Sequence, residues 1–197
     1  MKRGSGSFTL ANSVTLFRLL LVPLFAYLLV EADQRWTALA VFALMALGDA
    51  ADGMIARMRR EESMLGAVLD PAADKLLLLC AYLILRSSYS AHGYSVPDWL
   101  TLLVIGRDAY IVVGAVSITL LTGKLRVAPS FVGKASTFVQ MATVALVLSG
   151  LLGKETLQVA YVATGMLTLA SGIDYTLLGA AQLRKEPLGT AREARKA

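Results

Sequence analysis

Long apolar segments alternate with short polar segments along the whole chain. Six apolar runs are separated by charged residues, glycines or other polar side chains, and they cover residues 13–31, 36–56, 64–86, 98–121, 131–152 and 156–182. Most of them approach the ~20 residues that an α-helix needs to cross the hydrocarbon core of a bilayer. The pattern therefore predicts an all-α integral membrane protein, with six transmembrane helices in one bundle.

The segment before the first apolar run has a mixed character. Residues 8–18, FTLANSVTLFR, combine apolar side chains with asparagine, threonine and arginine, which is typical of a short helix at the membrane interface. The preceding MKRGSGS is basic, as in a secretory signal, but no small-residue cleavage site follows it, so we expect it to be retained. The predicted organisation is one transmembrane domain, residues 1–183, followed by a polar cytoplasmic tail, residues 184–197.

Composition agrees with a membrane protein. Of the 197 residues, 56% are hydrophobic and 17% are charged, and the mean hydropathy is +0.63. An ordinary soluble domain carries about 25% charged residues. The net charge of +5 favours contact with anionic lipid headgroups, so the basic balance does not require a nucleic-acid partner.

The basic residues are unevenly divided between the two sides that alternating spans define. One side carries only Arg35, Arg86 and Lys154. The other side carries the larger set: Lys2, Arg3, Arg57, Arg59, Arg60, Lys124, Arg126, Lys134, Arg184, Lys185, Arg192, Arg195 and Lys196. Because Lys and Arg accumulate in cytoplasmic loops, this asymmetry predicts cytoplasmic termini. The membrane we expect is the bacterial inner membrane.

Four aspartates stand out within residues 48–75. Each helical residue advances by about 100°, so Asp49 and Asp52 share one face of the second span, and Asp70 and Asp74 share one face of the third. The segment RMRREESML between them can reverse the chain, which would bring the four carboxylates together near the cytoplasmic boundary. An uncompensated charge in a membrane is costly, so such a cluster requires a cation.

The donor atoms of this cluster indicate which kind of cation would bind there. Carboxylate oxygens suit hard divalent ions, and no His or Cys cluster is present to favour zinc. The sequence therefore predicts two divalent ions, Mg²⁺ or Mn²⁺, bridged by shared carboxylates. The active site is then expected on the cytoplasmic side.

The neighbours of the aspartates suggest phosphate chemistry. Gly53, Ala56 and Gly66 remove side-chain bulk on the same faces, and Arg57 offers a planar fork for phosphate oxygens. The simpler interpretations are a solvated helix cap for an aspartate pair and helix packing for the small residues. Neither accounts for all these residues at these spacings, so we interpret the set as a site for phosphoryl transfer on a lipid.

The same residues resemble the signature of the CDP-alcohol phosphotransferases at every fixed position. The match reads Asp49-xx-Asp52-Gly53-xx-Ala56-Arg57, then eight residues, then Gly66-xxx-Asp70-xxx-Asp74. The resemblance implies a six-helix homodimeric membrane enzyme that transfers a phosphatidyl group from CDP-diacylglycerol to an alcohol and releases CMP.

The resemblance also implies a role for each matching position. The metal ligands are Asp49, Asp52, Asp70 and Asp74, and Asp74 is in addition the base that takes the proton of the acceptor hydroxyl. The residues implied to bind the cytidine diphosphate are Asp49, Asp52, Gly53, Ala56, Arg57 and Gly66.

Further segments resemble two branches of this family. ANSVTLFRLLLVP, DPAADK, IGRDAYIVVGAV and RVAPSFVGKASTFVQ are similar to the CDP-diacylglycerol-dependent cardiolipin synthases of mitochondrial type, and less closely to bacterial phosphatidylglycerophosphate synthases. Arg107-Asp108 agrees with the former, whereas Gly133-Lys134 agrees with the latter. The implied reaction is transfer to phosphatidylglycerol, giving cardiolipin and CMP. The alternative is transfer to glycerol 3-phosphate, giving phosphatidylglycerophosphate and CMP.

Both acceptors carry a phosphate, so a second cationic site is expected. Arg107 within the fourth span and Lys134 at the start of the fifth are the candidates, because a cation inside a membrane needs a partner. The alternative for Arg107 is an ion pair with Asp108 or another carboxylate, and for Lys134 it is snorkelling toward lipid headgroups.

An ion or proton transporter is the main rival class, because carboxylates inside membranes also mark transport pathways. A transporter is expected to distribute ionisable groups through the membrane depth. Here the acids gather near one predicted face, which favours the enzyme.

Overall fold

The computed structural model describes an all-helical chain. Its backbone is described over residues 10–32, 34–59, 66–87, 95–122 and 130–185, and its side chains over residues 20–32, 34–48, 75–86, 95–120 and 130–184. Within these ranges there are six helices: α1 (Leu10–Val30), α2 (Arg35–Arg59), α3 (Gly66–Ser87), α4 (Asp98–Thr122), α5 (Phe131–Ser149) and α6 (Lys154–Lys185). The described residues contain no strand.

The apolar runs predict these helices closely, and the all-α prediction is confirmed. Three described helical segments are long and apolar enough to cross a membrane: Asp98–Leu120, Phe131–Ser149 and Lys154–Arg184. Two shorter apolar segments, Leu20–Val30 and Arg35–Gly48, belong to α1 and α2. Residues 10–18 continue into the rest of α1 without a break, so the structure does not confirm a separate interfacial helix over residues 8–18.

The chain divides into two compact units, and the first contains α1, α2, α3 and residues 144–153. In this unit α1 packs against both α2 and α3. Only residues 31–34 separate α1 from α2, and the rings of Phe25 and Phe42 lie 5.8 Å apart, so the two helices are antiparallel. The core is apolar, with Phe25, Phe42, Leu77, Tyr82, Leu85 and Leu148 fully buried.

The second unit contains α4, α5 as far as Thr143, and α6. Contacts advance in the same direction along α4 and α6: Trp99 approaches Gly165, and the Tyr110 and Thr176 hydroxyls lie 2.9 Å apart. These two helices are therefore parallel. A β-carbon added to Gly165 would lie 2.7 Å from the Trp99 ring, so glycine permits the close crossing.

Both ends of α5 have recognisable caps. Ser130 precedes the helix, and its hydroxyl accepts a hydrogen bond from the Gly133 N–H at 2.9 Å, as expected of an N-cap serine. Gly150 follows the helix with φ of +59°, and its N–H donates to the Val147 carbonyl at 3.2 Å. This left-handed conformation is a common helix end and favours glycine.

Substituting Gly150 by alanine is expected to lower the thermal unfolding midpoint of the protein in detergent. The left-handed backbone costs a residue with a β-carbon roughly 1–2 kcal/mol. An added β-carbon would also overlap a guanidinium nitrogen of Arg35, so that side chain must shift.

The matched control is Gly153→Ala. An added β-carbon there meets nothing within 4 Å, and Gly153 has no positive φ. We expect Gly153→Ala to leave the midpoint unchanged. An equal loss in both variants would show that the loop is sensitive to any added methyl group, rather than to the conformation of Gly150.

Candidate functional site

The most distinctive described side chain is the buried cation Arg107 on α4. It lies nine residues after the start of the helix, or roughly 14 Å along it, and only 6% of its side chain is exposed. One terminal nitrogen donates to an Asp108 carboxylate oxygen at 2.8 Å, and the other donates to the Ser171 hydroxyl on α6. The ion pair with Asp108 that the sequence suggested as an alternative is therefore present.

An aromatic ring completes the surroundings of this guanidinium. The central carbon of Arg107 lies 5.4 Å from the centre of the Tyr175 ring, within the range of a cation–π contact. We call Asp108, Ser171 and Tyr175 the Arg107 cage. Asp108 neutralises the charge, Ser171 accepts a hydrogen bond, and Tyr175 covers the guanidinium, so the cage explains how α4 tolerates a buried cation.

The contacts of the cage do not involve every donor of Arg107. Its Nε–H is buried and has no hydrogen-bond partner among the described residues. A buried donor without an acceptor costs about 1–3 kcal/mol. An anionic oxygen is the kind of acceptor that would remove this cost.

The interface of α5 and α6 carries further buried polar side chains. We call this set the polar seam; its members are Ser136, Gln140, Thr143, Thr164 and Thr168. Thr143 and Thr164 share a hydroxyl contact of 2.6 Å, and the Gln140 side-chain amide donates to the Thr168 hydroxyl at 3.0 Å. Since later residues of α5 meet earlier residues of α6, these two helices are antiparallel. The seam leads along α6 toward Ser171 of the cage.

The second predicted acceptor residue, Lys134, lies in the first turn of α5. Its side chain is exposed, and its backbone N–H donates to the Ser130 carbonyl at 3.2 Å. The preceding residue, Gly133, is buried against Tyr175 of the Arg107 cage. The structure thus connects the beginning of α5 to the cage through Tyr175, while Lys134 itself remains accessible to solvent or lipid headgroups.

The four predicted metal ligands lie on two helices of the first unit. Asp49 and Asp52 are on α2, and Asp70 and Asp74 are on α3, so the helical spacing that the sequence predicts for each pair is present in the backbone. Their side chains lie outside the described residues. Among the side chains that are described, no group of three or more His, Cys, Asp or Glu residues is arranged to hold a metal ion.

The other predicted nucleotide-binding residues lie on the same two helices as the aspartates. Gly53, Ala56 and Arg57 belong to α2, and Gly66 is the first residue of α3. Their side-chain surroundings are also outside the described residues. Both helices pack against α1, so the backbone that carries the whole signature belongs to one compact unit.

Sequence reasoning found Arg107 but did not find Ser171, Tyr175 or the polar seam. The spacing of polar residues along α6 could have indicated them. Thr164, Thr168, Ser171 and Tyr175 follow each other by four, three and four residues, which places them on one face of α6. Polar residues that recur on one face of a membrane helix indicate polar contacts with a neighbouring helix.

These features define the class of the protein: an α-helical membrane protein with a polar interior in its second unit. Within that class, the sequence profile described as CDP-alcohol phosphatidyltransferase matches residues 8–171. The chain belongs to this family. The matched range includes every residue of the signature on α2 and α3, and also Arg107 and Lys134.

Three relatives illustrate the similarity. The cardiolipin synthase (CMP-forming) of Rattus norvegicus is 32% identical over 187 residues, covering 85% of this chain and 60% of the relative. A putative cardiolipin synthase of Mycobacterium bovis is 33% identical over 130 residues, covering 66% and 59%. A probable phosphatidylglycerophosphate synthase of Mycobacterium tuberculosis is 35% identical over 176 residues, covering 84% and 79%. The chain thus spans about three fifths of the cardiolipin synthases it matches.

Proposed function

We propose that the protein is a metal-dependent phosphatidyltransferase that moves the phosphatidyl group of CDP-diacylglycerol to a phosphate-bearing alcohol and releases CMP. The observation that carries the proposal is the family match over residues 8–171, which contains the complete aspartate signature of α2 and α3. Membership in this family favours phosphatidyl transfer over ion or proton transport.

The donor set of the signature fits divalent metal ions. Asp49, Asp52, Asp70 and Asp74 supply only carboxylate oxygens, which are the ligands that Mg²⁺ and Mn²⁺ prefer. The two pairs lie on helices that both pack against α1. When bound, two such ions would neutralise the pyrophosphate and the charge that develops on CMP.

The residues of the signature have distinct roles in the proposed reaction. Asp74 accepts the proton of the acceptor hydroxyl as its oxygen forms a bond to the phosphatidyl phosphorus and the bond to CMP breaks. Arg57 binds phosphate oxygens of the nucleotide, and Gly53, Ala56 and Gly66 leave room for the cytidine diphosphate. Asp49 and Asp52 also border the nucleotide.

Arg107 and Lys134 are proposed to bind the phosphate of the acceptor. The unpartnered Nε–H inside the Arg107 cage supports this role, because an anionic oxygen would satisfy it. Lys134 is exposed in the first turn of α5, where its ammonium group is accessible to an anion. The ion pair with Asp108 holds the guanidinium without using the Nε–H.

Two acceptors are supported by separate observations. Similarity to the rat and mycobacterial cardiolipin synthases favours phosphatidylglycerol, with cardiolipin as the product. Similarity to the probable phosphatidylglycerophosphate synthase of Mycobacterium tuberculosis favours glycerol 3-phosphate.

The arrangement of the protein in the membrane is proposed from the lengths of its helices. The six helices have 19 to 32 residues, and lengths near 20 are compatible with one crossing each. We propose six spans in a single transferase domain over residues 1–183, with the tail 184–197 and both termini in the cytoplasm. The working form is a homodimer in the bacterial inner membrane.

Purified protein supplied with CDP-diacylglycerol and Mg²⁺ or Mn²⁺ is expected to release CMP when the correct acceptor is present. Phosphatidylglycerol and glycerol 3-phosphate are offered in separate reactions, and the lipid product is identified by mass. A cardiolipin product selects the first acceptor, and phosphatidylglycerophosphate selects the second. Absence of CMP with either acceptor and either metal, in protein that retains a cooperative thermal transition, would contradict the proposed function.

A further inference from the structure

The geometry points to Gly133 and Tyr175 as positioning residues that together fix the orientation of Arg107 toward the acceptor phosphate. This inference rests on the proposed function and assigns a role to two residues outside the signature. Neither residue needs to touch the acceptor. Gly133 acts through Tyr175, and Tyr175 acts through Arg107.

The first contact in this relay is between Tyr175 and the guanidinium. The Tyr175 ring centre lies 5.4 Å from the central carbon of Arg107, so the ring covers one face of the cation. Asp108 and Ser171 bind the two terminal nitrogens. With one face covered and both terminal nitrogens held, rotation of the planar group is restricted, and the direction of the Nε–H is fixed.

The second contact is between Tyr175 and Gly133. A β-carbon built on Gly133 would lie 2.9 Å from the Cε2 atom of Tyr175 and 3.1 Å from its hydroxyl oxygen. Real β-carbons do not approach a ring carbon this closely, so any larger residue must displace the ring. A β-carbon at residue 133 would therefore shift the ring from its place on the guanidinium.

The cap of α5 limits how the helix can adjust to a larger residue at this position. The Gly133 N–H is bound to the Ser130 hydroxyl, which lies 3.1 Å from the same hypothetical β-carbon. Moving the backbone away from Tyr175 would also move the donor of this capping bond. The backbone is thus restrained by the cap, so we expect the ring to move, and with it the support of Arg107.

Lys134 gives this arrangement a functional consequence. It follows Gly133 directly, so the turn that supports Tyr175 also carries the second cation proposed to bind the acceptor. Contact between Gly133 and Tyr175 therefore keeps the start of α5 against the Arg107 cage. In this way one glycine links the placement of the two cationic residues.

The test is a double-mutant cycle with Gly133→Ala, Tyr175→Leu and the combined variant. Initial rates of CMP release are measured while the acceptor and CDP-diacylglycerol are varied separately. Each single change is expected to raise the KM for the acceptor roughly threefold to thirtyfold, the range of a lost cation–π contact. The KM for CDP-diacylglycerol is expected to stay unchanged.

The combined variant separates positioning from general damage. If Gly133→Ala acts through the ring, it should add nothing once Tyr175 is leucine, so the two effects should not be additive. The matched control is Gly114→Ala on α4, where an added β-carbon meets nothing within 4 Å. Thermal unfolding midpoints of all variants are recorded in parallel.

The outcomes distinguish this inference from the proposed function. Failure of the unaltered protein to release CMP with either acceptor overturns the proposed function, and this inference with it. If the unaltered protein turns over normally, three results would overturn the positioning role alone. They are additive effects of the two substitutions, an unchanged acceptor KM in the variants, and equal losses of affinity for both substrates. A selective, non-additive loss of acceptor affinity supports it.

Discussion

Asp74→Asn is expected to reduce the rate of CMP release by roughly 10²-fold to 10⁴-fold, the range for loss of a positioned general base. Asparagine has nearly the shape of aspartate, but its amide cannot accept the proton of the acceptor hydroxyl. It also removes one negative charge from the set of carboxylates proposed to hold the divalent ions. The measurement is the initial rate at saturating concentrations of both substrates and of Mg²⁺ or Mn²⁺.

The matched control for this substitution is Asp98→Asn. Asp98 is an exposed residue in the first turn of α4 and lies outside the aspartate signature. We expect this variant to retain its activity. Normal turnover by Asp74→Asn would remove Asp74 from the role of the base, even if the other three aspartates proved to be necessary.

The second large effect is expected from Arg107→Ala. Hydrogen bonds to charged groups contribute about 1.5–3 kcal/mol, so loss of the guanidinium should raise the acceptor KM by roughly 10-fold to 150-fold. CDP-diacylglycerol should bind as before. The measurement compares the KM values for the two substrates in the same preparation, with the thermal midpoint as a check on folding.

Two further variants make this result interpretable. Arg107→Lys retains the positive charge but loses the planar fork, so we expect only partial recovery of acceptor affinity. Arg184→Ala removes an exposed arginine near the end of α6 and should change neither KM value. Equal losses for both substrates in Arg107→Ala would place Arg107 outside the acceptor site.

Much of the fold follows from the sequence because its strongest signals are local. The run predicted over residues 98–121 corresponds to α4, Asp98–Thr122, because a proline precedes it and no charge except Arg107 and Asp108 interrupts it. The prediction from the run over residues 131–152 is less accurate at its C-terminal end. α5 ends at Ser149 because Gly150 adopts a left-handed conformation, which hydropathy does not record.

The candidate site could be predicted only in part, for a different reason. Arg107 was recognisable because a cation within an apolar run is unusual by itself. Ser171 and Tyr175 are ordinary residues for a membrane helix, and their importance depends on which helix lies beside α6. Sequence spacing places them on one face of α6, but it does not reveal that α4 runs parallel to that face.

Gly133 illustrates the same limit. In the sequence it is notable only as part of the Gly133-Lys134 pair that resembles phosphatidylglycerophosphate synthases, whereas in the structure it lies against Tyr175. A contact between residues 42 positions apart in the sequence is not visible in any local pattern. Such non-local contacts require the three-dimensional structure.

The polar seam contains a hydrogen bond between one threonine of α5 and one of α6. The Thr143 hydroxyl also reaches the Val139 carbonyl at 2.9 Å, and the Thr164 hydroxyl reaches the Ala160 carbonyl at 2.8 Å. Each threonine thus keeps an acceptor within its own helix if the helices separate, so breaking the bond between them leaves no polar group stranded in lipid. Bonds of this kind between membrane helices contribute on average about 0.6 kcal/mol. The bond between Thr143 and Thr164 therefore helps to specify the register of α5 on α6, but it adds little resistance to their separation.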